Sequence, residues 1–124
     1  MLLNEIKIAG RLGKDPELNY STSGLAYARL SLAVYQGRNK DTMWIPVVCW
    51  EGVAERVAQT IEKGAEVIVE GYLQCRSFTD KATKREVRIF EISAKKVDEV
   101  HNLKDMKTKE DVVVYEDIDF DHPF

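Results

Sequence analysis

A chain of 124 residues has room for one modest domain and an appendage, not for two independent cores. Its net charge of -3 is unevenly spread: residues 1–97 carry fifteen Lys and Arg against twelve Asp and Glu, net +3, and residues 98–124 carry three against nine, net -6. No apolar run reaches the length of a membrane span, the N-terminus has no signal-peptide profile, and His101 and His122 both fall in the tail, which argues against a metal site. A mildly basic body with an acidic tail fits a module that binds a polyanion and also meets basic protein surfaces.

Strict alternation dominates the first two thirds. Ile6, Ile8, Gly10 and Leu12 alternate with Glu5, Lys7, Ala9 and Arg11, the pattern of a half-buried strand. Gly13-Lys14-Asp15-Pro16-Glu17 breaks it with strong turn chemistry, and Ser21-Thr22-Ser23-Gly24 forms a second loop. A second strand, Leu25 to Tyr35, turns Ala26, Ala28, Leu30, Leu32 and Val34 to one face and Tyr27, Arg29, Ser31 and Tyr35 to the other. After a polar loop over residues 36–42, a third strand runs from Met43 to Trp50. Its Ile45, Val47 and Cys49 share one face, and Trp44, Pro46, Val48 and Trp50 share the opposite one.

Val53, Ala54, Val57, Ala58 and Ile61 recur at helical spacing between Gly52 and Gly64, with Gly64 placed as the C-cap. A fourth strand over Glu66 to Phe78 is expected to bury Val67, Val69, Gly71, Leu73 and Cys75 and to expose Tyr72, Gln74, Arg76 and Phe78. Thr79 to Arg85 reads as a charged hairpin tip. A fifth strand, Glu86 to Val97, follows, its alternation blurred at Phe90-Glu91-Ile92. Three strands, a helix and two strands fit an all-β fold with one helix: the OB-fold, a five-stranded Greek-key barrel with a helix between strands three and four. Gly10 and Gly71 fall where a small barrel must bend or bulge. Cys49 and Cys75 read as small buried hydrophobes in a reducing cytoplasm.

A barrel strand has one inward face, and here Ile, Val, Leu and Cys already fill it. Trp44, Trp50 and Phe78, with Tyr27, Tyr35 and Tyr72, are therefore left on the outside, for a subunit interface or for flat ligands. Bases stack on such rings for about 1–3 kcal/mol each, with little sequence preference, while nearby cations hold the phosphates. Arg29, Arg38, Lys40, Arg76, Lys81, Lys84, Arg85 and Arg88 supply those cations. No Ser/His/Asp or Cys/His arrangement and no phosphate-cradling loop is present, so no catalytic residue, metal or cofactor is expected. Glu66 and Glu70 share a strand face and read as solvent charge.

The chain ends Glu116-Asp117-Ile118-Asp119-Phe120-Asp121-His122-Pro123-Phe124. Four carboxylates without a cation form a solvated segment, but a final aromatic beside a carboxylate also suits an apolar pocket rimmed by Lys or Arg. The expected division is a barrel over 1–97, a charged linker over 98–115 and a disordered acidic tip over 116–124. The linker holds an apolar cluster, Val112-Val113-Val114-Tyr115, read equally as a helper anchor or as a sticky unstructured stretch.

Four segments, Leu3 to Glu17, Trp44 to Gly52, Lys63 to Leu73 and Arg76-Ser77-Phe78-Thr79-Asp80, together closely resemble bacterial single-stranded DNA-binding proteins, over residues 2–98. The resemblance implies base-stacking roles for Trp44, Trp50 and Phe78, phosphate contacts from the basic strand and loop residues, a homotetramer, and a nucleoid-associated cytoplasmic protein. It also implies that the tip, through Asp117, Asp119, Asp121, Pro123 and Phe124, docks replication, recombination and repair enzymes. The chain departs from the family pattern in four places. His122 replaces an aliphatic residue, Arg38 stands where relatives often have Trp, Pro46 stands where they often have a cation, and the linker is short. The alternatives are a primosomal OB-fold adaptor and an RNA-binding OB module, both disfavoured by the acidic tip, and, more distantly, a thiol enzyme using Cys49 or Cys75.

Overall fold

The computed structural model describes residues 3–100; the acidic tip, the Val112–Tyr115 cluster and both histidines lie outside the described residues. Six strands and one helix follow in the order β1 (Ile6–Leu12), β2 (Glu17–Tyr20), β3 (Ala26–Val34), β4 (Met43–Trp50), α1 (Glu51–Thr60), β5 (Glu66–Thr79) and β6 (Glu86–Glu99). The five strands expected from alternation are present. The additional one, β2, is a four-residue ribbon on β3, joined through Ser21–Leu25, where the Ser21 N–H donates to the Leu25 carbonyl at 2.8 Å. Between two turn signals, with Leu18 its one half-buried apolar residue, it is too short to carry a period.

The sheet closes because β1 has two partners. Its first part pairs with β5, from Ile6 opposite Gly71 to Arg11 opposite Glu66, and its end pairs with β3, Arg11 opposite Ala33 and Leu12 opposite Leu32. The ring β1–β5–β6–β4–β3 returns to β1, with β4 and β6 parallel and the other pairs antiparallel. This is the OB-fold barrel. Leu12, Leu30, Leu32, Val47, Val67, Val69, Ile92 and Val97 fill it, and Ala54, Val57 and Ile61 from α1 and its end join the same core. Gly64 is not the helix cap. Ile61 ends α1 in extended conformation, and Gly64 lies beyond it at φ +87°, its N–H donating to the Leu12 carbonyl.

A bulge decides which side chains point where. Gly71 pairs with Ala94 but Glu70 pairs with Lys96, so Lys95 is an extra residue in β6. One inserted residue reverses the parity of everything beyond it. Ile92 and Ala94 thus share the inner face with Val97, while Glu91 and Ser93 turn outward, which is the origin of the blurred alternation. Gly71 is required here, since a Cβ on it would stand 2.0 Å from the Ser93 carbonyl oxygen. Gly10 is similarly hemmed in, by the Ala33 carbonyl at 2.5 Å.

Past Gly71, β5 loses β1 as a neighbour, and the β5–β6 hairpin leaves the barrel. Two expectations fail for that reason: Leu73 and Cys75 are exposed rather than buried, because β1 no longer continues the barrel wall beside β5 and their face has no core to pack against. Asn4 extends the barrel's grip by one step, its side-chain amide donating to the Leu73 carbonyl at 2.7 Å while its oxygen accepts the Leu73 N–H at 2.9 Å. Glu66 and Glu70 are also not simple solvent charges, since they pair with Arg11 and Lys7. Replacing Gly71 with Ala forces the bulge apart, and we expect a loss of about 2–3 kcal/mol, read as a lower denaturation midpoint at unchanged m-value.

Candidate nucleic-acid interface

The outer face of β3, β4, β6 and β5 is continuous. Arg29 lies opposite Val48, Val48 beside Ser93, and Ser93 opposite Tyr72, one residue from each strand in a row across the sheet. In the adjacent row Tyr27 faces Trp50, their ring centroids 5.5 Å apart and tilted by 41°. Trp50 keeps 39% of its surface exposed. Its position at the strand end is fixed by an abrupt join, because α1 begins at the next residue with Glu51 at φ +52°. Such a left-handed turn is costly for a side-chain-bearing residue, but it carries β4 into the helix with no loop between them.

Trp44 is less available than the alternation implied. Its ring lies over Gly13, where a Cβ would stand 2.6 Å from it, and its cross-strand partner Ala33 is fully buried. Trp44 is half-buried as a result. Phe78 lies out on the arm, 43% exposed, on the same face as Arg76, Gln74 and Tyr72. The Arg76 guanidinium sits 5.7 Å from the Phe78 ring centre, and that of Arg29 sits 5.6 Å from Tyr27. Tyr72 is capped by the bulged Lys95, its Nζ at 5.7 Å from the ring centre.

Glu91 joins these parts. It is 2% exposed although it stands on the outer face. Its Oε2 accepts from Arg29 at 3.0 Å, and its Oε1 accepts from Arg76 Nε and Gln74 Nε2, both at 3.1 Å. A buried carboxylate is tolerated only when paired and hydrogen-bonded. Here the cluster ties β3 to β5 across β4 and β6. Reading the sequence missed Glu91, Gln74 and Lys95; the lapse of alternation at Phe90-Glu91-Ile92 was the available signal, and it marked the consequence of the bulge.

The remaining expected cations stand apart from this cluster. Lys81, Lys84 and Arg85 occupy the hairpin tip, which is held firmly. The Asp80 carboxylate accepts the Ala82 and Thr83 N–H groups, Lys84 N–H donates to the Asp80 carbonyl at 2.7 Å, and Lys84 itself lies at φ +60°. Arg38 and Lys40 are exposed in the loop over 36–42, its base bridged by Gln36 donating to the Asp41 carbonyl. Tyr35 is half-buried at the entry to that loop. Arg88 lies opposite Ser77, on the hairpin face that carries Cys75 and Phe90 rather than the one that carries Arg76 and Phe78. A cavity of about 460 Å³ at the end of α1, lined by Arg56, Thr60, Ile61, Asp98 and Glu99, is remote from the aromatic face. No cluster of His, Cys, Asp and Glu able to hold a metal occurs among the described residues, and none of their helices is long and apolar enough to cross a membrane.

An OB-fold barrel bearing aromatic rings and paired arginines across one sheet face has the features of an oligomer-binding OB module. The family model for the single-strand binding protein family matches residues 3–100, and the chain belongs to that family. Its relatives include single-stranded DNA-binding protein 2 of Listeria monocytogenes, 36% identical over 101 residues that make up 77% of this chain and 62% of the relative. Single-stranded DNA-binding protein A of Bacillus subtilis is 37% identical over 101 residues, covering 77% of this chain and 58% of the relative. The corresponding protein of Halalkalibacterium halodurans is also 37% identical, with 60% of its length covered. The chain thus spans about three fifths of the length of the curated relatives it matches.

The two cysteines differ sharply. Burial pushes the Cys49 thiol up from 9.0 to about 12, against a smaller lowering by Arg56, whereas Cys75 is exposed. Because the thiolate is the nucleophile, the folded protein at pH 8 should take one equivalent of a thiol-specific label, at Cys75. A second equivalent should enter only on denaturation. Two rapid equivalents in the native state would contradict this placement.

Proposed function

We propose that this protein binds single-stranded DNA without strong sequence preference, protecting it during replication, recombination and repair, and that it is not an enzyme. One observation carries the reading: the outer sheet face presents Tyr27 with Trp50 and, across the Glu91 cluster, Phe78, each pairing a ring with an adjacent guanidinium. Rings offered at strand ends with cations beside them are what an unpaired, flexible strand requires, since its bases can splay and stack. Trp44, Tyr35 and Tyr72 extend the stacking surface. Lys81, Lys84 and Arg85 at the tip, Arg38 and Lys40 in the loop, and Arg88 draw in the backbone, with affinity falling as salt rises.

Family membership supports this reading, as do the relatives' printed names. It also supports self-association, as a homotetramer, for which the exposed apolar strip of Leu73 and Phe90 offers a surface. The division into a barrel over 1–97, a linker over 98–115 and a partner-docking tip over 116–124 belongs to the same proposal. So do recruitment of replication, recombination and repair enzymes through Asp117, Asp119, Asp121, Pro123 and Phe124, and a nucleoid-associated cytoplasmic setting.

Titration with oligo(dT) tests the central claim. Tryptophan fluorescence should be strongly quenched, duplex DNA should compete poorly, and Trp50→Phe should remove more of the quench than Trp44→Phe, because Trp44 is half-buried on Gly13. No quench and no binding at low salt would defeat the reading, and tighter binding to oligo(U) would move it to RNA. For the tip, deletion of Pro123 and Phe124 should leave oligo(dT) binding intact and abolish partner capture; unchanged capture refutes the docking role.

A further inference from the structure

The cations of the aromatic face are of two kinds, and the buried carboxylate separates them. Glu91 takes one N–H from Arg29 and one from Arg76, each close to 3 Å, so two positive groups share one negative charge. Each guanidinium also lies against a ring, Arg29 on Tyr27 and Arg76 on Phe78. Held between a carboxylate and a π-face, each is fixed in direction before any ligand arrives. Lys81, Lys84 and Arg85 are different: no ion pair involves them among the described residues, and they stand at the tip of a stiff turn.

Resting on the reading of this face as a single-strand binding surface, we propose that Arg29 and Arg76 act chiefly as positioning residues for its stacking rings rather than as phosphate counter-ions, and that Glu91 assigns them that role. Phosphate neutralisation then falls chiefly to the tip cations. The distinction has a physical signature. A free cation that neutralises a phosphate of a single strand steepens the dependence of log affinity on log salt by about 0.7. Two guanidiniums that share one buried carboxylate keep a single surplus positive charge between them, so together they release at most one cation's share of counter-ions, and the rest of their contribution is orientation, alike at every salt concentration.

The experiment measures oligo(dT) affinity across a series of salt concentrations for the full chain and four variants. Arg76→Gln should weaken binding about five- to tenfold even at the highest salt, where counter-ion release contributes least, with the slope flattened by no more than about 0.7. Arg76→Lys retains the charge but not the forked donor geometry, and should bind about five- to tenfold more weakly at each salt, on a line parallel to the unsubstituted protein. Lys84→Gln should flatten the slope by about 0.7. Glu91→Gln leaves two uncompensated guanidiniums, and should steepen the slope by about 0.7 while reducing the tryptophan quench at saturation. Disappearance of the Arg76→Gln defect at high salt, or restoration by Arg76→Lys, would make Arg76 a counter-ion and overturn the proposal. An unchanged slope for Glu91→Gln would remove Glu91 from it. The Arg76 variants keep Glu91 and its bond to Arg29, and so keep the test decisive even where Glu91→Gln does not fold. Failure of the unsubstituted chain to bind oligo(dT) at low salt would instead overturn the functional reading itself.

Discussion

The approach of Gly71 to the Ser93 carbonyl is the contact on which the rest of the molecule depends. Two backbones this close can pass only if one lacks a side chain, and where they pass, β6 takes in the extra residue Lys95. The pairing below that point belongs to the barrel, with Val67, Val69 and Val97 inside it. Above it, the parity of β6 has changed, and Glu91 and Ser93 look outward. Without the insertion, Glu91 would point toward the barrel interior, and Ile92 and Ala94 would take its place on the outer face. The bulge therefore closes the core correctly and also delivers a carboxylate to the middle of the sheet surface.

That carboxylate organises the surface in turn. On a solvent-exposed sheet face, arginine side chains sample many rotamers, and each ordered one costs conformational entropy. Glu91, already stripped of water, meets that cost during folding rather than during binding. Tyr27, Trp50 and Phe78 then stand in an environment ordered from behind. Four separate strands contribute to the arrangement, so it exists only in the closed barrel.

How far the sequence discloses this can be judged residue by residue. The period-two pattern from Ala26 to Val34 separates the buried Ala26, Ala28, Leu30, Leu32 and Val34 from Tyr27, Arg29 and Ser31, and lapses only at Ala33, which is buried opposite Trp44. The same rule extended through β5 fails at Leu73 and Cys75, since alternation reports facing and not whether a neighbour exists to cover the face. Trp44 illustrates a related limit: it points outward as alternation requires, but Gly13, distant in sequence, provides a bed for its ring. Glu91 was hidden for another reason. A charged residue amid Phe and Ile reads as a defect until the long-range register of a bulge explains it.

The hairpin arm has a final consequence. It is a single two-stranded layer, with Arg76 and Phe78 on one surface and Cys75 and Phe90 on the other, the latter 62% exposed. A layer one strand thick cannot be stiffened on one side alone. Anything that settles on Phe90 restrains the backbone that carries Arg76, and anything that settles on Phe78 restrains the backbone that carries Phe90. Any such effect would, by thermodynamic reciprocity, be equal in both directions.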